Sequence, residues 1–433
     1  MQHVIDLIAN VNESVVGKEG WPQWLRAFQA AGLFDIQKLG FPSTQDEAWK
    51  YTNIQALLKQ RYHLPTVSVL PDHSQLDAWR MPGAIELVFV NGIWSEQLSS
   101  MNLSKGVRIT RASDASAKAH AALMAASRPT SAEDAFGALN RGLFAEGIVI
   151  EVDAQVQLSP LIHCLYVSAP STQAVLALPR LWLLMGAQSQ ASLLESYVGA
   201  TTHSYFTNAV TEAVLQPGAN LQHCKIQAES VSAYHVGSSR FCLERDSQLS
   251  TFSLSTGALL GRNQLDIQLL GEGAGVVLNG LYAAHGEQVL DNHTSVQHAV
   301  PRCSSRQLYK GILTGKSRAV FNGRVHVPQY AQQTDGYQLN KNLLLSPDAR
   351  VYTKPELEIY ADDVKCTHGA TVGQLDPDWL FYLRSRGISK REATSMLIHG
   401  FIDDVILTMT HDDVRARMHQ IVQKFYEHEA VLA

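Results

Sequence analysis

Charge is scarce in this chain. Asp, Glu, Lys and Arg make up 17% of its 433 residues, against about 25% in ordinary globular domains. The net charge of -5 comes without a concentrated basic stripe, which argues against nucleic acid as a partner. Cysteine is sparse as well. Cys164, Cys224, Cys242, Cys303 and Cys366 are odd in number and include no C-x-x-C pair. That usage fits a reducing compartment and not a disulfide framework. No apolar run reaches the ~18 residues of a membrane span. The opening MQHVIDLIANVNES carries two acids and no basic segment, so it does not read as a signal or transit peptide. These absences together predict a cytoplasmic protein with no membrane attachment.

What is present is a hydrophobic fraction of 45%, enough for a large core, in a pattern that changes twice. Residues 1–150 read as a mixed, partly helical region. Trp24, Leu25 and Phe28 recur at helical spacing within Trp21 to Ala31. Ser43 to Leu58 holds a second helix or turn-helix, and Ala115 to Ala126 is Ala-rich and helical in character. Ile85 to Val90 reads as a strand ending at an Asn91-Gly92 turn. Residues 151–376 consist of short alternating stretches punctuated by Gly, Pro, Asp and Asn. Residues 377–433 return to helical spacing: a short helix over Asp378 to Arg384, then a Ser389-x-x-Glu392 capping box. Behind the box Ile398, Ile402, Val405, Ile406 and Met409 form one apolar stripe. A second helix, capped by Thr410, would be striped by Val414, Met418, Ile421, Val422 and Phe425.

Within the middle region one module recurs, a turn ending in a small or polar pair followed by alternating residues. Asn220, Gln248, Gly275, Arg318 and Arg350 are taken as its equivalent positions, and the long interval between Gly275 and Arg318 as an insertion around Asp291 to Ser305. A strand-bearing period of roughly 20–50 residues indicates a solenoid or β-helix, whose turns must stack to bury their inward faces. Other all-β arrangements remain open on spacing alone.

Two glycine-rich segments invite a nucleotide reading and fail it. Gly311-Ile312-Leu313-Thr314-Gly315-Lys316-Ser317 has three residues between its glycines where a phosphate loop needs four, and strand-like Ala319-Val320-Phe321 follows where a helix is required. Gly271-Glu272-Gly273-Ala274-Gly275 likewise runs into Val276-Val277-Leu278. Both read as β-turns, and no ATP site is expected on this chain. Asp362-Asp363 reads as a solvated turn, because adjacent strand residues face opposite ways. Most of the 17 histidines, including His285, His293 and His298, read as surface or locally hydrogen-bonded groups.

The segment Lys365 to Gly373, K-C-T-H-G-A-T-V-G, carries the most chemistry. On a strand Cys366 and His368 point to one face, and thiolate and imidazole are the side chains that soft and borderline metals prefer. Two ligands do not close a site, so others would come from elsewhere, such as another chain. The competing reading is that Cys366 is a small buried core residue.

The run Ala331-Gln332-Gln333-Thr334-Asp335-Gly336-Tyr337-Gln338, then Asn342-Leu343-Leu344-Leu345-Ser346, then Lys354 through Gly373 closely resembles the SufB/SufD family of iron–sulfur cluster assembly proteins. Leu380 to Leu383, Ser385 to Ile388 and, near the start, Glu47-Ala48-Trp49-Lys50-Tyr51-Thr52 extend the resemblance, with Ala48 where the family usually has Asp. His368 is followed by Gly369, as in the SufD branch, where the SufB branch has Glu.

The resemblance implies a right-handed parallel β-helix flanked by an N-terminal helical region and a C-terminal helical domain. It implies a non-catalytic scaffold subunit, not an enzyme, acting with a SufB-type protein and a SufC-type ATPase. The β-helices would pair edge to edge, and the C-terminal helices would dock the ATPase. A homodimer is possible in isolation. Cys366 and His368 take the place of the family's metal-site pair, holding transient iron or a nascent iron–sulfur cluster shared with the SufB-type partner. The complex is linked to reduced flavin, but this chain carries no flavin fingerprint. The alternatives are a SufB-type principal scaffold and, more remotely, a β-helix carbohydrate-active enzyme.

Overall fold

The computed structural model describes residues 20–65, 71, 73–116 and 135–427. Strands account for 45% of it and wind into a β-solenoid of about eight turns, with helices before and after. Twenty strands follow one another: β1 (Ile85–Val90), β2 (Ile93–Ser100), β3 (Val107–Arg111), β4 (Gly147–Val152), β5 (Ile162–Ser168), β6 (Leu176–Ala177), β7 (Arg180–Met185), β8 (Gln190–Gly199), β9 (Phe206–Leu215), β10 (Asn220–Ala228), β11 (Tyr234–Leu243), β12 (Gln248–Ser255), β13 (Leu260–Leu269), β14 (Gly275–Ala284), β15 (Val289–His298), β16 (Ser304–Leu313), β17 (Arg318–Val327), β18 (Thr334–Leu344), β19 (Arg350–Ile359) and β20 (Val364–Gly373). From β7 onward they alternate between two sheets. One runs β2-β1-β5-β8-β10-β12-β14-β16-β18-β20, the other β19-β17-β15-β13-β11-β9-β7-β4-β3, with β6 beside β9.

Stacking is parallel and in register, so each turn places equivalent residues above one another: Asn220, Gln248 and Gly275, then Ser304, Asp335 and Lys365. This corrects the repeat read from sequence. Arg318 and Arg350 do face each other, but in the opposite sheet from Asn220, Gln248 and Gly275. The supposed insertion at Asp291 to Ser305 is an ordinary turn, formed by β15, a corner and the start of β16. The slip has a physical cause: both strands of a turn open with the same turn chemistry, so a polar residue after a turn does not say which sheet it enters. The glycine segments are corners as expected. Gly315 adopts a positive φ of 68° between β16 and β17, and Gly273 one of 76° between β13 and β14. Asn91 and Gly92, with φ of 51° and 84°, make the tight turn from β1 into β2, the left-handed pair that a two-residue hairpin demands.

The main core lies inside the solenoid, where Leu221, Leu249, Val276 and Leu278 meet Leu243, Leu265 and Leu290. The outer faces are covered by helices. On the second sheet, α1 (Gln23–Leu39), the short α2 (Gln55–Lys59) and, beyond the small α3 (His73–Asp77), α4 (Ala135–Leu143) bury Leu25, Phe28, Phe136 and Leu139 against Trp182, Phe206 and Leu260. Helices α1 and α4 touch at Gly32 and Gly142, where a Cβ on Gly32 would lie 2.5 Å from the Gly142 nitrogen. Most of the Ala115 to Ala126 helix expected from sequence, and the opening segment judged against a signal peptide, lie outside the described residues.

The first sheet is covered by α6 (Lys390–Ile406) and α7 (Asp412–Glu427), which follow the exposed α5 (Pro377–Ser385). Ser389 and Glu392 form the expected capping box. Both apolar stripes pack on the sheet, with Ile398, Ile402, Val405, Val414, Met418 and Val422 buried. Thr410 does not cap α7, which begins at Asp412. Its hydroxyl donates instead to Gln222 Oε1 at 2.7 Å, pinning the interhelical turn to β10. Lys310, 1% exposed, reaches from β16 to the Phe401 carbonyl at 2.6 Å and to Asp404 at 2.7 Å.

Candidate functional site

Among the described residues, strands β19 and β20 end their sheets with no outer neighbour, so the solenoid's last turn is open there. The strands differ as edges. β19 carries Pro355, which offers no N–H, together with Lys354, Glu356 and Glu358. These are devices that discourage strand addition. β20 has one charged residue, Lys365, and no proline.

Cys366 and His368 sit on β20 opposite Gly336 and Gln338 of β18. Those two residues lie above Ser305 and Gln307 of β16, on the inward face. Alternation therefore turns both Cys366 and His368 toward the inside of the solenoid at its open end. Cys366 is half-buried and packs on the internal core, while His368, one step further along, is exposed. Burial pushes the Cys366 thiol up; the nearby Gly336 amide partly offsets this, and Asp335 adds to it. Among the described residues no group of three or more His, Cys, Asp or Glu side chains could hold a metal ion. The chain thus presents a two-donor face, soft sulfur beside imidazole, at an edge where another molecule could add donors.

Deeper inside, the lining changes along the axis. Around β8 to β11 it is charged: Glu195 accepts from Tyr197 at 2.9 Å and Thr211 at 2.8 Å and lies 2.9 Å from His223, while Glu229 lies 2.7 Å from His235. The Lys225 ammonium donates to Asn263 at 3.1 Å and sits over the Tyr197 ring, and burial lowers its pKa to about 8. Toward the open end the lining becomes neutral. Gln338 donates to Gln307 at 2.9 Å, Gln307 to Thr294 at 2.7 Å, Asn342 to Asn340 at 2.6 Å, and Asn340 to the Tyr282 hydroxyl at 3.0 Å. Buried polar groups held this way fix one packing.

One cluster has the distances of a nucleophilic triad and none of its access. Ser196 Oγ lies 2.9 Å from His163 Nε2, and His163 Nδ1 lies 3.1 Å from Glu86. All three are almost fully buried, with Ser196 1% exposed. No substrate atom can reach the hydroxyl, so the cluster ties β1, β5 and β8 together. Asp362 and Asp363 form an exposed bend, as expected.

The Glu47-Ala48-Trp49-Lys50-Tyr51-Thr52 segment has a structural task that its sequence did not disclose. Thr52 donates to buried Asp291 at 2.6 Å, Arg262 pairs with Asp291 and donates to the Ala48 carbonyl at 2.9 Å, and the guanidinium stacks 3.8 Å from the Trp49 ring. Tyr51 stacks on Tyr352 at 4.1 Å. The segment clips the N-terminal region onto β13, β15 and β19. His293 completes the clip, 2.9 Å from Asp291; His298 is buried and bonded to Ser305 at 2.9 Å. Sequence reading also missed Gly336. It becomes visible as a neighbour of Cys366 only when the period of about 30 residues is laid in register.

Comparison with known proteins places this architecture. Residues 167–401 match the family model described as the SUF system FeS cluster assembly, SufBD core domain, and residues 2–163 match the SufBD protein N-terminal region. An iron–sulfur cluster assembly SufBD family protein of Synechocystis is 32% identical over 400 residues, covering 89% of this chain and 88% of the relative. The iron–sulfur cluster assembly protein SufD of Escherichia coli is 31% identical over 409 residues, covering 92% and 94%. The chloroplastic protein ABCI7 of Arabidopsis thaliana is 39% identical over 245 residues, covering 56% and 52%. With two family models spanning nearly the whole solenoid and its N-terminal region, the chain belongs to the SufBD family of iron–sulfur cluster assembly proteins.

Proposed function

We propose that this chain is the SufD-type, non-catalytic scaffold subunit of a cytoplasmic complex with a SufB-type protein and a SufC-type ATPase. In this reading Cys366 and His368 hold transient iron, or one side of a nascent cluster, and the SufB-type partner supplies the remaining ligands. The observation that carries it is the incomplete donor pair on the inward face of an open edge strand. Cys366 and His368 are two donors where a closed site needs more, and β20 lacks the blunting residues of β19. A second β-solenoid could continue the sheet from β20 by strand addition, bringing its own donors beside these two.

ATP hydrolysis is assigned to the SufC-type subunit. The C-terminal helices, from residue 377, offer it a surface. Helix α5 buries none of its residues and exposes Trp379, Phe381 and Tyr382, with Met396 and Leu407 exposed on and just after α6. Aromatic side chains in such a cluster are the usual anchors of a protein interface.

The test is reconstitution of the three-component complex with Cys366→Ala and His368→Ala together. Loss of most of the retained iron and of cluster yield, with the complex still assembled, is the expected result. Unchanged iron and cluster yield would make both residues packing groups. Co-purification of the tagged chain without either partner, from cells expressing both, would remove the scaffold reading.

A further inference from the structure

The inward column that ends at Cys366 descends through Val276, Ser305 and Gly336. The glycine is not there for its backbone, since Gly336 is not among the residues with positive φ. It is there for space. A Cβ at position 336 would stand 3.2 Å from Cys366 Sγ, whereas its next neighbours, Ser305 Oγ at 3.7 Å and Val325 Cγ1 at 3.8 Å, are ordinary contacts. Sulfur is therefore the one atom that this missing side chain accommodates.

We propose that Gly336 is a positioning residue for Cys366: the vacancy at its α-carbon is the seat of the sulfur, and it keeps the sulfur on the inward face for metal loading. This rests on Cys366 being a metal ligand, as argued above. Seating the sulfur against β18 holds it on the inward face beside His368. A methyl group at 336 would push it outward, away from β18 and toward bulk water or the partner.

Three readouts on the full-length chain separate the possibilities. First, Gly336→Ala should lower the melting temperature in the wild-type background but not in Cys366→Ala, where no sulfur competes for the space; equal shifts in both backgrounds would overturn the seat. Second, the rate of Cys366 alkylation by iodoacetamide at one fixed pH, read peptide by peptide because four other thiols are present, should rise in Gly336→Ala as the sulfur moves outward. An unchanged labelling rate would overturn the proposal. Third, added Fe²⁺ retained by the complex with the SufB-type partner should fall in Gly336→Ala as it does in Cys366→Ala. If the first two readouts respond but neither variant changes iron retention, the seat stands and the metal reading beneath it fails.

Discussion

The two ends of the solenoid are built differently. At the N-terminal end both sheets finish on antiparallel strands: β2 turns back along β1 with an irregular register near Glu86 and Val88, and β3, five residues long, turns back along β4. Reversed, bulged or short strands close an edge, and helices α1 and α4 pack beside them, burying Val149 of β4 and Trp182 of β7. At the C-terminal end β19 and β20 are each ten residues long, parallel to their neighbours and in full register, and most of their residues are partly or largely exposed. One end is completed by the chain itself. The other keeps the shape of an interrupted coil, and the donor pair lies there. Repeat proteins need a cap where stacking stops; at this end the proposed cap is a partner.

The contrast can be broken or sharpened by substitution, and the largest effect is expected inside the second sheet, at the clip on β13 and β15. Asp291→Ala strips the counter-charge from buried Arg262 and the acceptor from Thr52. Leaving one buried charge unpaired costs about 3–5 kcal/mol, measurable as a lower midpoint in urea unfolding. Cys366 alkylation in the still-folded protein should stay unchanged; if it accelerates, the clip is coupled to the open end and the contrast is weaker than drawn.

Acid should act next, through His298. Burial lowers its pKa to about 4 from an ordinary 6.5. The unfolded chain then takes up a proton that the folded chain refuses. The resulting contribution is fully present above about pH 6.5, declines as pH falls toward about 4 and is flat below, about 3 kcal/mol in all. His298→Gln should remove that decline, so that its stability difference from wild type changes by about 3 kcal/mol across the window. A parallel pair of pH–stability curves would assign the acid sensitivity elsewhere.

Lys310→Met, the third change, removes the bonds to Phe401 and Asp404 that hold α6 on the sheet. Because Asp404 is largely exposed, a modest loss of about 1–2 kcal/mol is expected, with weaker capture of the SufC-type ATPase. Undiminished capture would mean that the ATPase does not depend on how α6 is seated. Smallest in stability is the open end itself. Ala370→Lys with Val372→Lys, both on exposed positions of β20, should shift stability by within about 0.5 kcal/mol while abolishing co-purification of the SufB-type protein. Retained binding would move the interface away from β20.

Much of this was legible in the residues. Helices α5, α6 and α7 followed from 3.6-residue spacing and a capping box, the β1–β2 hairpin from Asn91-Gly92, and the pairing of Cys366 with His368 on one face from strand alternation. What sequence could not provide was register. Spacing alone did not separate the two sheets, so Arg318 was aligned with Gly275 and a regular turn was mistaken for an insertion. The same gap hid Gly336, whose meaning depends on which residue lies one turn away, and the clip, whose partners Thr52 and Asp291 are joined only by the fold. Thr410 misled for a local reason: Gln222, far away in the chain, took the hydroxyl that a helix start would have used.

The central claim is that a partner completes the solenoid at β20. Amide hydrogen exchange of the full-length chain, alone and with the SufB-type protein, tests it most directly. The account predicts that amides of residues 364–373 exchange readily in the free chain and become protected in the complex, while those of β2 and β3 do not change. Protection confined to other surfaces, with β20 exchanging as before, would contradict it.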